Sequence, residues 1–242
     1  MRTVRRRLLQ AVPVLAAVAT AAAARAATTD LVVACDTPLA RPLRAVAEAF
    51  AARSGVRVHV FRTPPGLILP QLERAVQNDI VICTLDRLSR AVEGGIVAVD
   101  APRAGSWRNR LVLVARRETP VAAVDAGPVA VTDVSAATEF DGVAALATAG
   151  LFPQRIIGAI DTDEVLFLLA TGGAASGLLH TSDLSPELQV VRPLDDAAYP
   201  PLVYAAAVTK LARRPNPDAF IRFLAGDEAT ALLRAHGLEK WS

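Results

Sequence analysis

The stretch from Leu31 to Phe50 constrains the fold more than any other. Leu31-Val32-Val33-Ala34 is an apolar run of strand length, Cys35-Asp36-Thr37-Pro38 reads as a turn, and a helix runs from there to Phe50. Leu39, Leu43, Val46, Ala47 and Phe50 recur at spacings of three and four and give that helix one apolar face. A buried strand turning straight into a helix opens a parallel α/β unit. In such units the ligand sits beyond the carboxyl end of the strand, beside the helix N-terminus. What Cys35-Asp36-Thr37-Pro38 faces is therefore the functional question.

The same style continues down the chain. Val56 to Phe61 alternates as a second strand, Thr63-Pro64-Pro65-Gly66 is a rigid turn, and Leu67 to Val76 is helical with Pro70 near its first turn. Asp79 to Cys83 is a third strand, followed by a helix to Glu93 that Gly94-Gly95 ends. Arg110 to Ala115 is a strand with basic flanks and no helix directly before it, and Pro120 to Pro128 is a loose segment. A second α/β unit begins at Val129 to Asp133. It continues through helices at Gly142 to Ala149 and Asp163 to Ala170, with Asp161 or Thr162 as N-cap, and a strand at Ser176 to His180. Leu202 to Val208 is a late strand, and Pro217 to Leu224 and Asp227 to His236 are amphipathic helices. No solenoid repeat is present.

The first 26 residues read as a leader rather than as part of the fold. Arg2, Arg5, Arg6 and Arg7 precede an Ala-rich apolar stretch, and Ala24-Arg25-Ala26 is a small-x-small cleavage site before Ala27. Arg5-Arg6-Arg7-Leu8-Leu9 is compatible with a twin-arginine signal. The break at Pro13 and the Ala-rich makeup set the stretch apart from a membrane anchor. The leader holds five arginines and no acidic residue, so the remaining chain sets 21 basic residues against 24 acidic ones, a net charge of −3 with histidines neutral. No basic stripe is left to support nucleic-acid binding.

Enzymatic motifs are lacking. There is no Gly-x-Ser-x-Gly elbow and no Walker-type phosphate loop. Of the three histidines, His59 lies in a strand and His236 in the terminal helix, neither placed like a catalytic base. Cys35 and Cys83 both fall near strand carboxyl ends. Three readings fit them: small buried residues, a disulfide permitted by export, or soft metal ligands together with His180.

Three stretches carry a family resemblance: Asp79-Ile80-Val81-Ile82-Cys83-Thr84-Leu85-Asp86, Ser176-Gly177-Leu178-Leu179-His180-Thr181-Ser182-Asp183, and the closing helix pair from Ala219 through Ala229 to Gly237-Leu238. In these the chain resembles the periplasmic substrate-binding proteins of molybdate-type ABC importers, which have the type II periplasmic binding protein fold. The resemblance implies two doubly wound α/β lobes joined by two crossover strands, Arg110 to Ala115 going out and Leu202 to Val208 returning, with a ligand cleft between the lobes. Lobe one would hold residues 27–108 and 205–242, and lobe two residues 109–204. It implies a periplasmic monomer without cofactor or catalysis that captures molybdate or tungstate and delivers it to an ABC permease.

The family holds its oxyanion with hydroxyls and helix-terminal N–H groups, and this sequence departs from that pattern. Pro38 and Pro64 stand where the family has two ligand serines, and proline supplies neither hydroxyl nor N–H. Each lost bond to a charged group is worth about 1.5–3 kcal/mol. Thr37 and Thr63 stand one residue earlier, where each is either a shifted ligand or a plain helix cap. The implied site is then Asp36, Thr37, Pro38, Thr63 and Pro64 from lobe one, with Thr138, Thr162 and His180 from lobe two. Glu139 is either a repulsive neighbour of the anion or a solvent-facing loop residue. The resemblance leaves two other roles open: capture of a thiophilic metal ion through Cys35, Cys83 and His180, or a ligand-free module that contacts a partner.

Overall fold

The computed structural model describes residues 30–132 and 141–241. Two mixed sheets make its two lobes. The first sheet has the order β11-β4-β10-β3-β1-β2 and the second β7-β6-β8-β5-β9. In the first, β1 (Leu31–Asp36) lies parallel between β2 (Val58–Thr63) and β3 (Ile80–Thr84), and β10 (Leu202–Val208) joins β3 and β4 (Arg103–Asn109) as their antiparallel neighbour. β11 (Glu239–Lys240) pairs with β4. In the second, β6 (Val129–Thr132) is parallel to β7 (Ile156–Ala159) and β8 (Ser176–His180), while β5 (Leu111–Arg116) is antiparallel to β8 and β9 (Leu188–Pro193).

Helices cover both faces. In β1 every residue but Val32 is buried, as a strand covered on both sides requires. The helix it feeds, α1 (Ala40–Ser54), buries Leu43, Val46, Ala47 and Phe50 and stops at Gly55, whose φ of 71° lets its N–H return to Ala51. Phe50 packs edge-on against Phe220, ring centroids 5.1 Å apart. This contact fixes α7 (Pro217–Leu224) and α8 (Asp227–Ala235) to the first lobe. The remaining helices are α2 (Ile68–Glu73), α3 (Leu85–Glu93), α4 (Val121–Ala126), α5 (Gly142–Thr148) and α6 (Thr162–Thr171). Among the described residues no helix is long and apolar enough to cross a membrane.

Several elements differ from the sequence reading. β4, β7 and β9 are strands that the sequence pattern does not announce, and the segment expected to be loose contains α4. β2 starts and ends two residues later than expected, so Thr63 closes a strand instead of opening a turn. β5 lies wholly in the second sheet and β10 wholly in the first, so neither is itself a crossing. The outgoing crossing is the single residue Arg110 between β4 and β5, and the return runs between Pro193 and Leu202.

Candidate functional site

The carboxyl ends of β1, β2 and β3 turn towards the second lobe. Asp36 and Thr63 are register partners there, so the two Thr-Pro loops stand side by side. Across from them lie the turn after β8, where Ser182 meets Pro38, and the first turn of α6, where Asp163 meets Arg62. Several contacts cross between the lobes beside these loops. The Ser182 hydroxyl donates to the Pro38 carbonyl at 2.8 Å, the Arg41 guanidinium donates to the Leu184 carbonyl at 2.7 Å, and Arg62 pairs with Asp163.

Each expected first-lobe residue has a definite place. Asp36 is fully buried in β1. It accepts from the Thr84 N–H and from Arg87 Nη1, both at 3.3 Å, and Arg87 also reaches the Thr84 hydroxyl. Removing one member of so buried an ion pair costs about 3–5 kcal/mol. Asp36 thus ties the end of β1 to the β3–α3 turn. Thr37 begins a 3-10 turn, Thr37–Leu39, whose N-cap is Asp36 and which has no side-chain cap. Thr63 is buried, with its hydroxyl 3.3 Å from Gln71 Oε1, and the next 3-10 turn is preceded by Pro64, again with no side-chain cap. Neither threonine therefore caps its helix. Pro38 is buried and Pro64 exposed.

On the second lobe, Thr162 is buried as the first residue of α6. The cap is Asp161, whose Oδ1 accepts the Glu164 N–H at 2.9 Å, while the Glu164 carboxylate accepts the Ile160 N–H at 2.6 Å. Acidic residues at this helix start complement its dipole, and they disfavour a second anion at the same spot. His180 is buried, and both its Nδ1 and its backbone N–H lie 3.1 Å from Asp183 Oδ2, which fixes the ring. Thr138 and Glu139 lie outside the described residues.

The two cysteines do not come together. β1 and β3 are neighbours, as expected, but Cys35 is the partner of Ile82, one position short of Cys83. Alternation therefore sends them to opposite faces of the sheet. Cys35 packs with Leu31 and Val33 on one side, and Cys83 with Ala34 and Val81 on the other. They are not joined in a disulfide. Burial, with the charge of Asp36 adding, pushes the Cys35 thiol well above its ordinary value. Among the described residues no three His, Cys, Asp or Glu side chains are grouped to hold a metal. This geometry removes both the disulfide and the shared soft-metal site.

Sequence reasoning missed a buried polar chain beside the crossing. Asn109 is fully buried and donates to the Ser182 hydroxyl at 2.8 Å, and its Oδ1 accepts the Ser182 N–H at 3.3 Å. The Thr181 hydroxyl lies 2.9 Å from Asn109 Oδ1 and 2.7 Å from the Gly237 carbonyl. With the Ser182–Pro38 bond, this chain runs from the first-lobe loop through the second lobe to the C-terminal turn. The signal for it in the sequence was slight: hydroxyls next to His180, and an Asn before the basic crossing.

No curated protein matches the chain by sequence at a significant level. Solved structures do match it in fold. The periplasmic molybdate-binding protein of Azotobacter vinelandii has a TM-score of 0.72 at 17% identity, over 88% of this chain and 100% of that one. PEB3 of Campylobacter jejuni, solved with L-phospholactate bound, has a TM-score of 0.66 at 14% identity, over 88% and 100%. The tungstate ABC transporter structure from Geobacter sulfurreducens has a TM-score of 0.58 at 15% identity, over 85% and 98%. These likenesses establish the type II periplasmic binding protein fold. The sequence from residue 31 to residue 239 matches the family described as bacterial extracellular solute-binding protein, and the chain belongs to that family.

Proposed function

We propose that this protein is an exported, periplasmic binding protein that captures a small oxyanion between its lobes and delivers it to an ABC permease. Molybdate and tungstate are the first candidates. The observation that carries the reading is the register pairing of Asp36 with Thr63, which sets the Thr37-Pro38 and Thr63-Pro64 loops side by side; on the other wall we assign Thr162 and His180. The related structures named for molybdate and tungstate support the choice of anion. Thr37 and Thr63 are then hydroxyl donors in place of the two absent serines, and Thr138 would add to the second wall. Asp36 and His180 act behind them by holding the strand ends. Pro38 and Pro64 shape the loops.

Calorimetric titration of the mature protein with molybdate, tungstate, sulfate and phosphate tests the reading. Sub-micromolar binding of at least one tetrahedral anion is expected, weakened at least tenfold by Thr63→Val. Silence across the panel defeats it and favours a partner module.

A further inference from the structure

The lobes touch at several places. Beside the crossing, Asn109 donates to Ser182, whose hydroxyl in turn donates to the carbonyl of Pro38 after β1. At the far end of the cleft stands a different contact, Arg62 with Asp163. Arg62 lies on β2, three strands from β10 in the first sheet. Asp163 lies in α6, which follows β7, three strands from β5 in the second. At about 4.8 Å per strand, Arg62 on β2 stands about 14 Å from β10, the strand that receives the return crossing. A rotation of about 20° about the crossing would separate this pair by about 5 Å, would shift Pro38 after β1 by about 3 Å, and would barely move Asn109, which adjoins Arg110.

The chemistry suits a reversible contact. Both side chains are about half exposed, 49% for Arg62 and 52% for Asp163, so the pair is weak and screened by salt. The neighbouring carboxylates are engaged elsewhere. Asp161 caps the helix and Glu164 takes the Ile160 N–H, which leaves Asp163 as the member of that turn that reaches across. On the other side, Arg62 adjoins Thr63, so whatever moves the Thr63-Pro64 loop moves the latch.

We propose that Arg62 and Asp163 are positioning residues for capture: a charge latch at the cleft mouth that biases the lobes towards closure and sets how readily they reopen. Loss of one exposed pair lowers the closed-to-open ratio by up to about fivefold. Charge reversal lowers it further, because it replaces attraction by repulsion.

The test uses the ligand-free mature chain, so its failure is separate from that of the oxyanion reading. Nitroxide labels on Glu73→Cys and Thr171→Cys, both exposed and on different lobes, report the interlobe distance by pulsed electron paramagnetic resonance. Cys35 and Cys83 are buried and stay unlabelled. At an ionic strength of about 0.01 M a short distance should dominate, and a longer one should grow at about 0.5 M. Arg62→Glu should raise the long-distance share at least twofold at low salt, and the reciprocal variant Arg62→Asp with Asp163→Arg should reverse the rise. Arg53→Glu, which breaks an exposed pair with Glu228 inside the first lobe, should leave the distances unchanged. Identical distributions in wild type and Arg62→Glu at both salt concentrations would overturn the latch. So would a rise that Arg53→Glu reproduces.

Discussion

Asp79 shows how much one carboxylate can organise. It is fully buried ahead of β3, and its Oδ2 accepts the Val32 N–H at 2.9 Å and Arg214 Nη1 at 3.2 Å. Its Oδ1 takes the Arg213 and Arg214 N–H groups at 3.2 and 3.4 Å. It therefore joins the start of the sheet to the loop that follows the last long strand. Asp79→Ala would leave these amides and a guanidinium unanswered, and should cost about 3–5 kcal/mol of unfolding free energy, read from urea denaturation. The cysteines give a second expectation at this scale. A thiol in the unfolded chain ionises near about pH 8.5. Cys35 is held well above that by burial, so its reaction with a disulfide reagent in the native protein should stay slow and show no plateau up to about pH 9.5, where an ordinary thiol levels off. Both thiols should react fully in guanidinium. Fast native labelling of Cys35 at the upper pH would contradict the burial. The sequence could place each cysteine near a strand end. It could not show their faces, because the one-residue offset between β1 and β3 is a matter of register.

At the scale of the element, the return segment is pinned by charge. Asp196, in its 3-10 turn, pairs with Arg108 and with Arg110 of the outgoing side, and Arg110 also holds Glu239 of β11. The bond from Arg108, helped by both arginine charges, keeps the Asp196 carboxyl below its ordinary range. A depressed carboxyl contributes stability above its unfolded value of about 3.9 and loses it as pH falls through the folded one. Asp196→Asn should therefore lower the midpoint of urea unfolding near neutrality, and the gap from wild type should shrink below about pH 4. Because Asp196 is 42% exposed the effect should be modest, and a constant gap across that range would show that its charge is not involved. The legibility of elements follows the same physics. β1, β3, β8 and β10 are continuous apolar runs covered on both faces, and each reads from the sequence. β4 and β9 do not, because Arg103-Ala104-Gly105-Ser106-Trp107-Arg108-Asn109 is largely polar and β9 exposes its last four residues at a sheet edge. Gly237 is a further element-scale constraint. Its φ is +80°, and a Cβ there would meet the Thr181 carbonyl oxygen at 2.6 Å. Only glycine lets the C-terminal turn approach the second lobe so closely.

For the molecule as a whole, the two lobes share part of one core. The cluster around Val33, Phe50, Tyr204 and Phe220 continues through Leu111, Leu113 and Tyr199 to Val129, Val131 and Leu178 of the second sheet. The Tyr199 hydroxyl accepts the Leu111 N–H at 3.1 Å in the middle of that bridge. Two-lobe architecture was readable from strand–helix alternation and family resemblance together. The contacts that govern the cleft were not, since Arg62 and Asp163 lie 101 residues apart and meet only because two sheets fold over each other.

The strand order also dictates a sequence of events as the chain is made. β4 has only β10 and β11 for neighbours, and both come from the last fifth of the chain. The second sheet, by contrast, uses one uninterrupted stretch between Leu111 and Pro193. On a chain emerging N-terminus first, β1, β2 and β3 pair early and the second lobe can complete itself. β4 waits beside it without a partner, and the first lobe closes only when Leu202–Val208 arrives and slots between strands made long before.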